Sequence, residues 1–289
     1  MINTCLARQN YRSSDLCFTN LFCWRSKFDT QFAVDDGWLF IRFRDNNGRN
    51  SYLKPIGEGN IKEGVERILD DHKPFDTVFQ MRGLTREMTG EIEKAMPGLF
   101  DYQLNRSVSD YLYTTEKLTR LKGKKLQSKR NHINRFVREN NWEYKSLTGN
   151  PALVKECKAM LDAWMEINGE EKDPTLLYDD RATTLMLDHF ESLRLRGSLI
   201  CVDRRIVAFT IGEPLTEDTM IVHVEKAFTT IHGAYTIINQ QFVEHETAGF
   251  TYINREEDMG IENLRKAKLS YQPDILLEKF NARLRHSGS

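Results

Sequence analysis

The chain has 289 residues, of which 40% are hydrophobic and 29% charged, with a formal net charge of -1. That balance excludes a disordered or collagen-like chain, and it excludes bulk polyanion binding by the whole surface. The five cysteines, Cys5, Cys17, Cys23, Cys157 and Cys201, form no CxxC pair and lie near no histidine at zinc spacing. They read as free thiols of a reducing cytosol, with no metal site.

In chain order, the first elements are short and mixed. Phe32-Ala33-Val34 and Trp38 to Phe43 are strand-like and flank Asp35-Asp36-Gly37, a hairpin signal. A helix is expected over Ile61 to Leu69, with Ile61, Val65, Ile68 and Leu69 on one face. Thr77 to Met81 reads as a strand, and a helix from Thr85 to Met96 is stopped by Pro97-Gly98. Phe100 to Tyr113 reads as one or two strands.

A concentrated basic segment follows. Nine Lys or Arg residues and no Asp or Glu occur between Lys117 and Arg138. Helical spacing puts Leu126, Ile133 and Val137 on one face, with Phe136 at its edge. Lys125, Lys129 and His132 fall on one flank, whereas Arg130 lies close to the apolar seam, where a guanidinium needs a partner.

Beyond it, an amphipathic helix opens at Pro151 and runs to Asn168, a polar loop covers 169–175, and another helix runs from Asp180 to Arg196. Strands are expected at Ser198–Val202, Ile206–Gly212, Thr219–Val224, Phe250–Ile253 and Ile275–Phe280. Helices are expected after Gly233-Ala234 and over Ile261–Leu269. Hairpin neighbours among these strands point to an α+β (mixed α/β) fold with mixed sheets. No apolar run reaches the roughly 18 to 20 residues of a membrane span, and the start of the chain lacks a signal-peptide core. A cytoplasmic protein is expected.

Two stretches carry a resemblance. Asp110-Tyr111-Leu112-Tyr113, with Leu121 to Lys125 and Lys129 to Phe136, is the first. The second runs from Ile253-Asn254-Arg255-Glu256-Glu257-Asp258 to Tyr271. Together they resemble the signatures of a bacterial family related to the C-terminal domain of phosphatidylglycerol lysyltransferases. The resemblance implies two tandem N-acyltransferase (GNAT-like) folds, each a mixed, mostly antiparallel sheet flanked by helices. It divides the chain into an N-terminal fold over 1–115 and a basic linker helix plus C-terminal fold over 116–289. It implies an acyltransferase that moves an acyl or aminoacyl group, from acyl-CoA or aminoacyl-tRNA, onto an amine or hydroxyl acceptor, with no tightly bound cofactor. A non-catalytic RNA-binding or regulatory protein that retains the fold is the alternative. In either case the basic helix would meet tRNA or another phosphate-bearing partner.

Candidate site residues follow from placement. Gly233, Ala234 and Tyr235 open a helix, where backbone N–H groups cradle donor phosphates, although the glycine pattern of CoA enzymes is missing. His223 and Glu225 alternate on one strand and so share a face, which makes Glu225, beside an imidazole, the first choice of general base. Asp258 or Glu257 would hold an ammonium, and Arg265 would meet a carboxylate or phosphate, in a charged network with Asn254, Arg255 and Lys268. Tyr271 and Asn239 are candidate hydrogen-bond donors in the same cleft, reached from the other side by Lys125, Lys129 and His132.

Overall fold

The computed structural model describes residues 2–7, 9–168 and 174–285. Its strands, in chain order, are β1 (Gln31–Asp35), β2 (Trp38–Arg44), β3 (Asn50–Tyr52), β4 (Gln80–Thr85), β5 (Phe100–Leu104), β6 (Asp110–Thr114) and β7 (Trp142–Ser146). They continue as β8 (Arg196–Val202), β9 (Arg205–Pro214), β10 (Thr219–Ala227), β11 (Tyr252–Asn254), β12 (Ile275–Leu277) and β13 (Lys279–Leu284).

The chain forms two units, one of residues 1–110, 257–261 and 276–289, the other of 111–256 and 262–275. The first contains a six-stranded sheet ordered β1-β2-β3-β4-β13-β5. The second is built on a seven-stranded sheet ordered β12-β6-β11-β10-β9-β8-β7. Both are mixed and mostly antiparallel, as the sequence suggests. Each carries a parallel step, β3 with β4 in the first and β10 with β11 in the second. The same order therefore occurs twice: antiparallel strands, a helical crossover, a parallel strand, and then a strand from a distant part of the chain.

That last feature changes the division drawn from sequence. The run Ile275–Phe280 is not one strand; it breaks at Glu278 into β12 and β13. β13 enters the first unit's sheet between β4 and β5, with Ala282 opposite Met81 and Tyr102. In turn β6 pairs antiparallel with β11, Tyr113 opposite Ile253. The chain's last strand thus belongs with its first hundred residues.

Local chemistry explains the elements. Asp36 and Gly37 both take positive φ, 47° and 79°, the geometry of a two-residue hairpin that fits the strand twist. Asn60 caps the helix Ile61–His72 by accepting from the Lys62 N–H, and Thr85 caps Arg86–Ala95 through the Met88 N–H. The first unit's core gathers Leu39, Ile56, Val65, Met81, Leu84, Ile92 and Phe100. In the second unit Tyr111, Tyr113, Phe136, Phe209 and Phe242 are among the fully buried large side chains. Of the loop expected at 169–175, residues 169–173 lie outside the described residues. Among the described residues no helix is long and apolar enough to cross a membrane.

The basic segment is broken, as Gly123 suggests. A short helix, Thr115–Arg120, is followed by Gly123 at φ 92° and a turn of 3₁₀ before the long helix Gln127–Glu139. Ile133 and Phe136 are buried, but Val137 is 45% exposed, contrary to the expected face. The buried stripe is therefore rotated toward Lys129. Arg130 donates to the carbonyls of Leu121 and Gly123, tying down the break.

Candidate active site of the second unit

A bulge and a splay shape the site. β9 and β10 pair in register to Val222 opposite Gly212, then resume with Val224 opposite Ile211, so His223 is the extra residue of a β-bulge. Only glycine fits at 212, because a Cβ there would lie 2.2 Å from the Ile221 carbonyl oxygen. The parallel pairing of β10 with β11 covers only Thr219–Ile221 against Tyr252–Asn254. Past that point β10 continues to Ala227 while the other chain leaves the sheet. Open sheets hold ligands where parallel strands part in this way.

Glu225 and Arg255 lie in that splay. Arg255 Nη2 donates to both Glu225 oxygens at 3.0 Å, and Asn239 Nδ2 donates to Oε2 at 3.1 Å. The Arg255 guanidinium is 4.8 Å from the Tyr271 ring, and Lys129 reaches the same ring at 4.1 Å. Burial is the largest single influence and opposes the Arg255 charge, but Glu225, Tyr113 and Tyr271 together outweigh it and raise the guanidinium pKa. Burial, and then Arg255, press the Lys129 ammonium below the ordinary lysine value. Burial pushes the Tyr271 phenol up to about 12, with Arg255 opposing.

Two buried polar atoms of this cluster have no hydrogen-bond partner: Arg255 Nη1, a donor, and Asn239 Oδ1, an acceptor. Asn239 is 2% exposed and the Arg255 side chain 12%. An unmet buried group costs on the order of 1–3 kcal/mol, and such atoms mark the place where a ligand completes the network.

His223 departs from its expected role. Its Nδ1 lies 2.8 Å from Glu256 Oε1 and its Nε2 lies 3.0 Å from Glu213 Oε1, with the ring fully buried. A neutral imidazole donates from one nitrogen only, so two carboxylates at these distances call for an imidazolium or a protonated carboxyl. A ring held in that way does not serve as a proton acceptor. The register shift at His223 breaks the simple alternation along the strand that placed it on one face with Glu225.

The remaining expected residues separate by unit. Asp258 and Glu257 belong to the first unit, whereas Glu225, Arg255, Asn239 and Tyr271 belong to the second. Asp258 is fully buried, accepts the Gly260 N–H at 2.8 Å, and meets Arg106 at 3.2 Å. Asn254 is equally buried and its Oδ1 accepts the Glu256 N–H, a structural contact. Lys268, 8% exposed, donates to the Arg255 carbonyl, while its own carbonyl accepts the Tyr113 hydroxyl, so it fixes the backbone that carries Arg255. Arg265 is half-buried on the helix Glu262–Leu269.

Gly233 has φ 85°, and a Cβ there would lie 2.6 Å from the His132 carbonyl, so the basic helix packs directly on this turn. Ala234 is 1% exposed and its N–H already meets the Ile231 carbonyl, leaving little of a phosphate cradle at that residue. Tyr235 is half-buried beside it. His132 meets His232 at 2.8 Å, and Lys125 is exposed. Glu213 escaped the sequence reading, and Glu256 and Tyr113 entered it only within the two signature runs, with no site role of their own. Their partners lie far away in the chain, and their residue types carry no local signal.

With this geometry in view, the comparisons with known proteins can be read. Residues 7–283 match the family described as phosphatidylglycerol lysyltransferase, C-terminal. The chain belongs to that family. It is 40% identical to a conserved protein of unknown function from Bacteroides thetaiotaomicron, with a TM-score of 0.91 over 98% of this chain and 95% of that one. It shares its fold with the C-terminal domain of a putative lysylphosphatidylglycerol synthetase from Agrobacterium fabrum, at 13% identity and TM-score 0.69 over 99% and 90% of the two chains. L-PGS from Bacillus licheniformis aligns at 16% identity and TM-score 0.61, over 93% and 92%. A relative from Mycoplasmoides gallisepticum, MYCGA3080, is 24% identical over 200 residues, which span 67% of this chain and 62% of that protein.

Proposed function

We propose that the second unit transfers an aminoacyl or acyl group from an activated donor, aminoacyl-tRNA or acyl-CoA, onto an amine or hydroxyl acceptor. The observation that carries this reading is the pair of unmatched buried atoms beside Glu225, an open donor on Arg255 and an open acceptor on Asn239. An aminoacyl ester offers the complement. Its α-ammonium donates to Glu225 and Asn239 Oδ1, and its carbonyl oxygen accepts from Arg255 Nη1. Membership of a family described as a lysyltransferase favours the aminoacyl donor, and the exposed Lys125 belongs to the face that would meet the tRNA backbone.

The chemistry follows from the charges. The acceptor amine loses a proton and attacks the carbonyl carbon; the carbon–nitrogen bond forms and the carbonyl oxygen becomes an oxyanion. Arg255 Nη1 is placed to hold that oxyanion. The ester carbon–oxygen bond then breaks, and the released hydroxyl takes up a proton. Glu225 has both oxygens engaged by Arg255 and Asn239, so it serves here as the anchor for a ligand's positive charge. Lys129, which faces the same Tyr271 ring as Arg255, is the group we place to receive the acceptor's proton.

The test is a transfer assay with labelled aminoacyl-tRNA pools and acyl-CoA thioesters against a panel of amine and hydroxyl acceptors, phospholipids included. Arg255→Lys, which keeps the charge but loses the fork, is expected to slow transfer by about 10²-fold or more. If no donor is consumed beyond spontaneous hydrolysis with any acceptor, the reading falls.

A further inference from the structure

A second polar site lies in the first unit, on the face of its sheet turned away from the core. Met81, Ala282 and Phe100 point into that core, so their strand neighbours Gln80, Arg283 and Asp101 point out. Arg283 is opposite Gln80 on one side and Asp101 on the other, and Asn281 is opposite Gln103. With Arg49 and the exposed Val78, these residues line a cavity of about 360 Å³.

The charges in this hollow do not balance. Asp45, whose side chain is fully buried, accepts from the Asn47 and Arg49 N–H groups, from Gln80 Nε2 at 3.0 Å and from Arg82 Nη2 at 2.6 Å. Its charge is thereby committed to Arg82. Asp101 pairs with Arg285 at 2.9 Å. The guanidiniums of Arg49 and Arg283 have no carboxylate partner among the described residues. Burial lowers the Arg82 pKa, Asp45 opposes that, and Arg283 and Arg49 lower it further, so the three cations feel one another. Among the described residues, Asn281 Oδ1 in the lining is buried without a partner, and so is Nε of Arg82, whose Nη2 lies 3.4 Å from Oε1 of the lining Gln80. Converging cations with an open donor and an open acceptor lack one thing, an anion that also carries a hydroxyl.

We propose that this hollow binds a small hydroxylated phosphomonoester, with Arg49 and Arg283 on the phosphate and Asn281 Oδ1 accepting from a ligand hydroxyl. Guanidiniums bind phosphate oxygens in bidentate pairs, and the cavity lies within the roughly 300–1,000 Å³ range of small-ligand sites. The site does not depend on the transfer chemistry of the second unit.

The test titrates the full chain with inorganic phosphate, glycerol 3-phosphate, ribose 5-phosphate and adenosine 5′-monophosphate, by calorimetry and thermal shift at matched ionic strength. A hydroxylated monoester is expected to bind saturably and more tightly than phosphate. Arg49→Gln and Arg283→Gln, both at exposed positions, are expected to fold normally and weaken binding by about tenfold or more each. Arg255→Lys, in the second unit, is expected to leave this binding unchanged, which separates failure here from failure of the transferase reading. The proposal is overturned if no monoester binds above a chloride control, if both arginine variants bind like the wild type, or if only an RNA oligonucleotide binds.

Discussion

Just past its parallel pairing, the first unit is closed by its own side chains. Lys54, two residues beyond β3, meets Glu91 at 2.8 Å and the Tyr11 hydroxyl at 3.0 Å, and that hydroxyl donates to Glu91 at 2.6 Å. In the second unit, Glu225, Arg255 and Asn239 stand past the equivalent pairing with one donor and one acceptor left open. The two sheets share one arrangement around the parallel step, the second having an additional strand, so topology alone does not make a site. What differs is whether the polar groups at the splay satisfy one another or wait for a ligand.

Their buried lysines differ as well. Lys279, in the first unit, is 1% exposed and held by Asp110 at 2.7 Å, Asp15 at 2.6 Å and Ser14 Oγ at 2.8 Å. Burial opposes its charge, but Asp110 and Asp15 overcome that and raise its pKa. Lys129 is shifted the other way, with Arg255 adding to the effect of burial. One lysine is built for stability; the other is held at a cost.

Breaking the closed side has the largest expected effect. Lys279→Met takes the ammonium away from the buried Asp110 carboxylate and is expected to cost about 3–5 kcal/mol in denaturant unfolding. Lys54→Met, whose partner Glu91 is partly exposed, is expected to cost about 1–2 kcal/mol without affecting transfer. In the open cluster, Asn239→Leu removes an unmatched acceptor and is expected to change stability by less than about 1 kcal/mol while weakening ligand binding. A stability loss for Asn239→Leu as large as that for Lys279→Met would erase the distinction between the units.

Alkaline pH sharpens the same contrast. The Lys279 pKa is raised in the fold, so its contribution is complete below the ordinary lysine value and is lost as pH rises through the higher folded value. For Lys129 the folded pKa is depressed, so between the folded and unfolded values the unfolded chain binds more protons and stability rises with pH. Unfolding curves at stepped pH are therefore expected to show the wild type gaining on Lys129→Met in that window. A gap that shrinks there would contradict the shift.

Much of this architecture was legible in the sequence. Apolar periodicity and turn chemistry located the hairpin at Asp36-Gly37, the helix from Pro151 and the strands of the last third. The break after Leu277 was not, because a continuous apolar run gives no sign that its two halves pair with different sheets. Phe136 and Val137 stand one residue apart in a helix that starts later than its basic run, so their faces were confused. Glu225, Arg255, Asn239, Lys129 and Tyr271 were each named from sequence, and the structure brings these five together. The bulge at His223, and the brackets of Glu213 and Glu256, depend on strand register that no short stretch encodes.

The account rests on the open atoms of Arg255 and Asn239. The most direct test is calorimetric titration of the intact chain with a non-hydrolysable 3′-aminoacylamido-adenosine, for the wild type and Asn239→Leu. The expected result is saturable binding by the wild type, weakened by about tenfold or more in the variant. Equal binding by the two proteins, or none by the wild type, would contradict it.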